Sequence, residues 1–122
     1  MPFDLEATTH VFDDTADGGR QTVTADTPGD TRQIALIREH LRKEQAAFAR
    51  GDFSDPAAIH GQDMPGLAAL QAGANRIRVT YTDIPQGALL TYATADPTLV
   101  KALHAWFAAQ VSDHGSHAAT SH

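Results

Sequence analysis

A pattern of two strands followed by a helix occurs twice along the chain, and it constrains the fold more than any other feature of the sequence. Thr24-Ala25-Asp26 and Thr94-Ala95-Asp96 each separate the second strand of a predicted hairpin from the start of a predicted helix. A duplicated strand–strand–helix unit explains this repetition, and chance similarity between two short segments explains it equally well. In both cases we predict an α+β fold, with a four-stranded, mainly antiparallel sheet and helices packed on one face.

The register of the first hairpin determines which face of the sheet carries His10. If Asp17-Gly18 forms a two-residue turn, counting outward pairs Phe12 with Val23 and His10 with Ala25. His10 then shares the inner face of the sheet with Phe12 and Val23. A shift of one residue in this register would move His10 to the opposite face.

Start and stop signals predict the remaining elements. Asp30, followed by Gln three positions later, is typical of a helix N-terminus, and Gly51 is typical of a helix end. Arg76–Thr82 alternates polar and apolar residues, which indicates a half-buried strand, and residues 88–94 return beside it. Asp96-Pro97 then begins the last helix, since proline is well tolerated in a first helical turn.

Length and charge narrow the classes of function. The chain has 122 residues, 9 Lys and Arg against 15 Asp and Glu, a net charge of −6 at pH 7, and no cysteine. An acidic chain without a basic stripe is unsuited to binding phosphate backbones, and no apolar run approaches the roughly 20 residues of a membrane-spanning helix. The absence of cysteine excludes disulfides, thiolate zinc sites and thiol nucleophiles. We expect a single α+β domain over residues 1–113 and a flexible, histidine-containing tail over residues 114–122.

Histidines give the strongest functional clue, because seven occur in this short chain. Imidazole is the commonest protein ligand of transition metals, and a thioether adds affinity for Cu(I). His60 and Met64 lie four positions apart in a loop that the following proline holds away from helical geometry. His10 lies on a strand, His104 at the edge of the apolar stripe of the last helix, and His114 near the end of that helix. Each also has an ordinary explanation: a core methionine, a surface or semi-buried histidine, or a charge that favours a helix C-terminus.

No spacing among the histidines is diagnostic of a metal site by itself. The sequence lacks a His-Glu-x-x-His pattern, and His60 to Asp63 is one residue too long for the His-x-Asp part of an iron facial triad. A metal site would therefore have to be assembled from distant segments. His40 is expected to be solvated on the flank of the first helix, and His117 and His122 are expected to bind metal only loosely.

Several short motifs resemble those of a known group of proteins. The motifs are Phe3-Asp4, Thr8-Thr9-His10-x-Phe12, His60 with Met64-Pro65-Gly66, and Ser112-Asp113-His114. Together they resemble small, usually exported bacterial proteins that are often labelled aspartate carbamoyltransferase. The resemblance implies an exported protein, periplasmic or secreted, whose sequence here starts at its mature region, and it marks His10, His60 and His114. The label does not suit this chain, because a carbamoyltransferase needs two domains and a Ser-Thr-Arg-Thr phosphate loop.

Our leading hypothesis is a transition-metal-binding protein, copper before zinc, that handles or stores the metal. His10, His60 and His114 are the expected ligands, with His104 and Met64 as additional or neighbouring groups. A non-catalytic module that binds a partner protein or a small organic ligand is the main alternative. A small enzyme that pairs His60 or His114 with a nearby acid, and haem held by His and Met, are further alternatives. We expect no nucleic-acid partner and no membrane insertion, and the open sheet leaves edges with which a second copy can pair as a homodimer.

Overall fold

Five strands and three α-helices make up the part of the chain that the computed structural model describes, which comprises residues 7–51, 66–114 and 118–119. The strands are β1 (Thr8–Thr15), β2 (Gly18–Ala25), β3 (Arg78–Ile84), β4 (Gly87–Ala93) and β5 (Ala118–Ala119). The helices are α1 (Thr31–Ala49), α2 (Leu67–Ala72) and α3 (Pro97–His114), and a 3₁₀ turn (Ala74–Arg76) precedes β3. Two strands followed by a long helix therefore occur twice, with the short α2 and the 3₁₀ turn between the two units.

The strands form one sheet in the order β3-β4-β2-β1-β5. Strands β1 to β4 pair antiparallel, and the second strand of each hairpin lies at the centre, where β2 pairs with β4. The predicted α+β class with its four-stranded antiparallel sheet is thereby confirmed. β5 adds a two-residue parallel edge beside His10 and Val11, within the segment 114–122 that we expected to be a tail. Its two alanines carry no pattern from which a strand could be predicted.

Helices cover one face of the sheet. α1 packs on β2, β3 and β4, while α3 packs on β1 and β2, and alternate residues of the strands point into the core between them. Five buried aromatic rings join the layers: Phe12, Phe48, Tyr92, Trp106 and Phe107. Within the described ranges, none of the helices combines the length and the apolar character that a membrane span requires.

The first hairpin is shifted by two residues from the predicted register. Its turn begins one residue earlier than predicted, at Ala16, and His10 faces Val23 instead of Ala25. Because the shift is an even number of residues, His10 stays on the inner face, where it is buried. The predicted pairing is therefore wrong, while the predicted face is confirmed.

Two glycines explain the shift, because β2 needs them against its neighbours rather than in the turn. Gly18 has φ +153°, and a β-carbon at this position would lie 2.1 Å from the carbonyl oxygen of Tyr92. A β-carbon on Gly19 would lie 2.3 Å from the ring of Phe107. Side chains at these two positions would hold β2 away from β4 and α3.

The ends of the two long helices match their sequence signals. Asp30 caps α1, since its carboxylate accepts a hydrogen bond from the Gln33 backbone N–H at 3.2 Å, and Gly51 follows the helix with φ +79°. Asp96 plays the same part before α3, where its carboxylate accepts from the Thr98 backbone N–H at 2.9 Å. Both predicted helix starts are confirmed.

Polar side chains of α1 hold the hairpin of β3 and β4. Arg38 donates to the carbonyl oxygens of Ile84 at 2.9 Å and Gly87 at 3.1 Å. Gln45 Nε2 donates to the carbonyl oxygen of Val79 at 2.9 Å. Val79 belongs to β3, which is an edge strand among the described residues. α1 is thereby anchored near the turn and near the open end of this hairpin.

Candidate functional site

His10 has the surroundings of a core residue. It is 2% exposed, and its ring stacks on Phe12 with the two ring centroids 6.4 Å apart and the planes inclined by 20°. Its neighbour across the sheet is Val23. This environment corresponds to the ordinary explanation of His10 as a buried structural residue, and a metal bound to it would also be buried.

His104 is fixed by the turn of the first hairpin. Its Nε2 lies 2.9 Å from the carbonyl oxygens of both Thr15 and Gly18. Because a carbonyl oxygen only accepts hydrogen bonds, Nε2 carries a proton, and Nδ1 is the ring nitrogen left for a metal or a ligand. The predicted position of His104 at the edge of the apolar stripe is what allows its ring to reach this turn.

The structure does not bring His10 and His104 to a single ion. His104 contacts Thr15, which lies five residues along β1 from His10, and five residues of strand span about 17 Å. Bonds between a metal and an imidazole nitrogen are about 2 Å long. His104 therefore lies too far from His10 to act beside it as a ligand of the same ion.

The other expected ligands are placed only in part. His60 and Met64 lie outside the described residues. His114 is the last residue of α3, and the chain then reaches β5, which pairs with β1 at His10 and Val11. Within residues 7–51, 66–114 and 118–119, no three His, Asp or Glu side chains form a group that could hold a metal ion.

His40 does not lie in solvent as expected, because it pairs with Glu44 in the middle of α1. The His40 Nε2 is 2.8 Å from the Glu44 carboxylate, and the two side chains are only 14% and 13% exposed. Burial raises the pKa of Tyr92 well above its usual value, and the charge of Glu44 raises it further. The Tyr92 hydroxyl in turn donates to Gln21 at 2.9 Å. The four-residue spacing of His40 and Glu44 on one helix is the signal that could have revealed this pair.

An open groove lies at one end of the sheet, where the turn of the first hairpin meets the start of β3 and the link from β4 to α3. Two adjoining cavities of about 640 and 510 Å³ share Asp17, Thr94 and Ala95, and we call them together the sheet-end groove. The first cavity is also lined by Asn75, Arg76, Ile77, Arg78 and Ala93, and the second by Ala16, Pro97, Val100, Lys101 and His104.

Hydrogen bonds fix the floor of the sheet-end groove. The Thr94 backbone N–H donates to the Asp17 carbonyl oxygen at 2.8 Å, and the Thr15 hydroxyl donates to the Asp17 carboxylate at 3.1 Å. The Thr94 hydroxyl accepts from the Asp96 backbone N–H at 3.2 Å. Together with the bonds of His104 to the same turn, these contacts give the groove a defined shape before any ligand binds.

Sequence reasoning missed the sheet-end groove as a site. Among the expected site residues that the structure describes, His104 alone lines it. The alternating pattern accounts for Arg76 and Arg78 only as the polar positions of a strand. Their position beside the link from β4 to α3 follows from the pairing of β3 with β4, and no local spacing in the sequence signals it.

Comparisons with known proteins do not indicate a function, so the function has to be inferred from the fold and the groove. No family model, no curated protein and no solved structure matches the chain. The molecule is thus defined as an α+β domain with helices on one face of an antiparallel sheet and a preformed groove at the end of that sheet.

Proposed function

We propose that this protein is a non-catalytic module that binds a small organic ligand in the sheet-end groove. The observation that carries the proposal is the joining of two cavities around Asp17, Thr94 and Ala95. Their volumes of about 640 and 510 Å³ each lie in the usual range for ligand pockets, about 300–1,000 Å³. Apolar walls at Pro97 and Val100 beside a few fixed polar groups are also typical of such pockets.

The chemistry of the lining favours binding over catalysis. His104 commits Nε2 to two carbonyl oxygens. Thr94 is the only hydroxyl residue among the described lining residues; its oxygen accepts from the Asp96 backbone N–H, and it donates to no base among the described residues. A hydroxyl or thiol nucleophile is activated by an adjacent general base. The described lining does not provide that pair.

Chemical-shift mapping with a library of small organic molecules tests this proposal. We expect bound molecules to shift the backbone amides of Ala16 and Ala95, which line the groove. Val100→Trp places a large ring in the groove and should abolish these shifts, whereas Ala46→Trp, at an exposed position of α1, should leave them unchanged. The proposal fails if no library member shifts the groove amides, or if binding persists in a folded Val100→Trp protein.

A second candidate function is the handling or storage of a transition metal, copper before zinc. Its proposed ligands are His10, His60 and His114, with Met64 as an additional donor. The course of the backbone favours it, because α3 ends at His114 and the following β5 pairs beside His10. Imidazole nitrogens with a thioether suit Cu(I), and histidine ligation alone suits Cu(II) or zinc.

Equilibrium titration of tag-free protein with Cu(I), Cu(II) and Zn(II) tests the metal proposal. We expect one ion per chain in the wild type and loss of binding in His60→Ala. His40→Ala and His104→Ala serve as matched controls and should retain the ion, since His40 pairs with Glu44 and His104 with the first turn. Affinity weaker than micromolar, or equal affinity in His60→Ala, would contradict it.

Location and assembly are separate proposals. Export, implied by the motif resemblance, predicts that the protein is recovered from the periplasm or the medium of its source cell, and recovery with cytoplasmic markers would contradict it.

A homodimer formed through a sheet edge predicts a solution mass twice that of the chain by light scattering. A mass equal to one chain over a wide concentration range would contradict the dimer.

A further inference from the structure

We infer that the sheet-end groove takes a small organic carboxylate with an apolar body, an inference that rests on the groove being a ligand site as proposed above. Three of the nine Lys and Arg residues line the groove, although the whole chain has a net charge of −6: Arg76, Arg78 and Lys101. Asp17 in the groove and Asp96 beside it offset two of these charges. Three cations against two carboxylates leave a local surplus of one positive charge in an acidic molecule.

The cationic side chains of the groove have N–H groups that are available to bind a ligand. Arg78 and Lys101 are exposed, and neither forms an ion pair or a side-chain hydrogen bond with another described residue. Arg76 lies 3.4 Å from Asp96 through one guanidinium nitrogen, and its side chain is 61% exposed, so its other N–H groups stay accessible. The planar fork of an arginine matches the two oxygens of a carboxylate. Two arginines at the start of β3 therefore provide the anion-binding end of the groove.

The second half of the groove is mainly apolar and continues directly from the first. Ala95, Pro97 and Val100 line it, and Ala95 belongs to both cavities. A carboxylate at Arg76 and Arg78 would lay a hydrocarbon body along these residues. An inorganic anion would leave this surface uncovered, and a neutral or cationic ligand would leave the arginines without a partner.

Hexanoate is the probe for this inference, with hexanamide as its neutral isostere and hexylamine as its cationic counterpart. We expect hexanoate to shift the amides of Ala16, Thr94 and Ala95 and to bind about tenfold more tightly than hexanamide, because a charge-assisted bond is lost in the amide. Hexylamine should not compete. Raising the salt concentration from about 0.05 to about 0.5 M should weaken hexanoate more than hexanamide.

Removing one positive charge at a time distinguishes a specific contact with the carboxylate from a general electrostatic attraction. Arg78→Gln should weaken hexanoate about tenfold and leave hexanamide unchanged. Arg32→Gln is the matched control, because Arg32 is an exposed cation in the first turn of α1. It should change neither affinity.

The possible outcomes separate this inference from the proposed function. Equal affinity for hexanoate and hexanamide, or equal weakening by Arg32→Gln and Arg78→Gln, would overturn the carboxylate assignment and leave the groove as a ligand site. If neither the three probes nor any member of the library shifts the groove amides, the assignment and the proposed function both fail.

Discussion

On the edge strand β3, Tyr81 and Asp83 form a hydrogen bond that depends on their protonation states. The Tyr81 hydroxyl donates to the Asp83 carboxylate, and the Arg42 guanidinium lies 5.1 Å from the Tyr81 ring centroid and 3.4 Å from Asp83. Burial, together with the hydrogen bond to Asp83, raises the pKa of Tyr81 to about 12. The same hydrogen bond is the main cause of a lowered pKa for Asp83. The pair therefore favours a neutral phenol beside an ionised carboxylate.

We predict that Tyr81 ionises near pH 12 instead of near the usual tyrosine pKa of 10.0. Because the pKa is raised in the folded state, the stability linked to this group is complete below about pH 10 and is lost as the pH rises from about 10 to about 12. Asp83→Asn removes the charge and the carboxylate acceptor, so the pKa should fall back toward 10.0. Phenolate absorbance, taken as the difference between wild type and Tyr81→Phe, measures the step. A wild-type step already centred at pH 10.0 would contradict the prediction.

For the first hairpin, the decisive feature is the close approach of β2 to β4. Gly18 and Gly29 both have positive φ, +153° and +82°, but a β-carbon would lie 2.1 Å from the Tyr92 carbonyl oxygen only at Gly18, and would meet nothing within 4 Å at Gly29. Gly29 thus needs only a permissive backbone conformation. Gly18 needs that conformation and the missing side chain.

We predict that Gly18→Ala destabilises the protein by about 3 kcal/mol, while Gly29→Ala costs about 1 kcal/mol. Gly29→Ala reports backbone strain with no steric contact, so the larger loss in Gly18→Ala reports its own φ of +153° together with the clash against β4. Urea unfolding followed by the fluorescence of Trp106, the only tryptophan, gives both values. Equal losses in the two variants would show that the β2–β4 contact adds nothing to the strain.

The elements differ in how far the sequence could predict them. Helix starts at Asp30 and Asp96 and the alternation of the strands were predicted because their causes lie within a few residues. The turn was misplaced because Gly18 serves a contact with β4, more than 70 residues away. The groove was missed for the same reason: Arg78 and Lys101 line adjoining cavities only because the strand order β3-β4-β2-β1 brings the start of β3, the end of β4 and the first turn to one end of the sheet. Local patterns thus predict elements and faces, and long-range packing decides the register and the site.

At the scale of the molecule, an aromatic cluster connects the two strand–strand–helix units. Phe48 of α1 contacts Tyr92 of β4 and Trp106 of α3, with ring centroids 6.1 and 5.8 Å apart. Phe107 of α3 contacts Phe12 of β1 at 5.2 Å and Tyr92 at 5.5 Å. Each unit therefore buries its aromatic side chains against the other, and neither has a separate core among the described residues.

We predict that the molecule unfolds in one cooperative transition. Phe48→Ala should lower the free energy of unfolding by about 3–5 kcal/mol, because it removes a ring that is 2% exposed and leaves a cavity. Although Phe48 lies on α1, Trp106 fluorescence and far-ultraviolet circular dichroism should shift to the same lower midpoint. Two separated midpoints in the variant would indicate that the units unfold independently.

The hydrogen bond from Gln45 to Val79 affects whether a strand of another molecule can pair with the edge strand β3. Ile84 and Gly87 close a two-residue turn, so alternate residues of β3, Val79 among them, direct their carbonyl groups away from β4. An incoming strand would need that acceptor, and Gln45 already occupies it from a helix of 19 residues. Fibril growth from this margin would first have to displace a side chain anchored by the fold itself. The Gln45 side chain thereby opposes strand addition at this edge of the sheet.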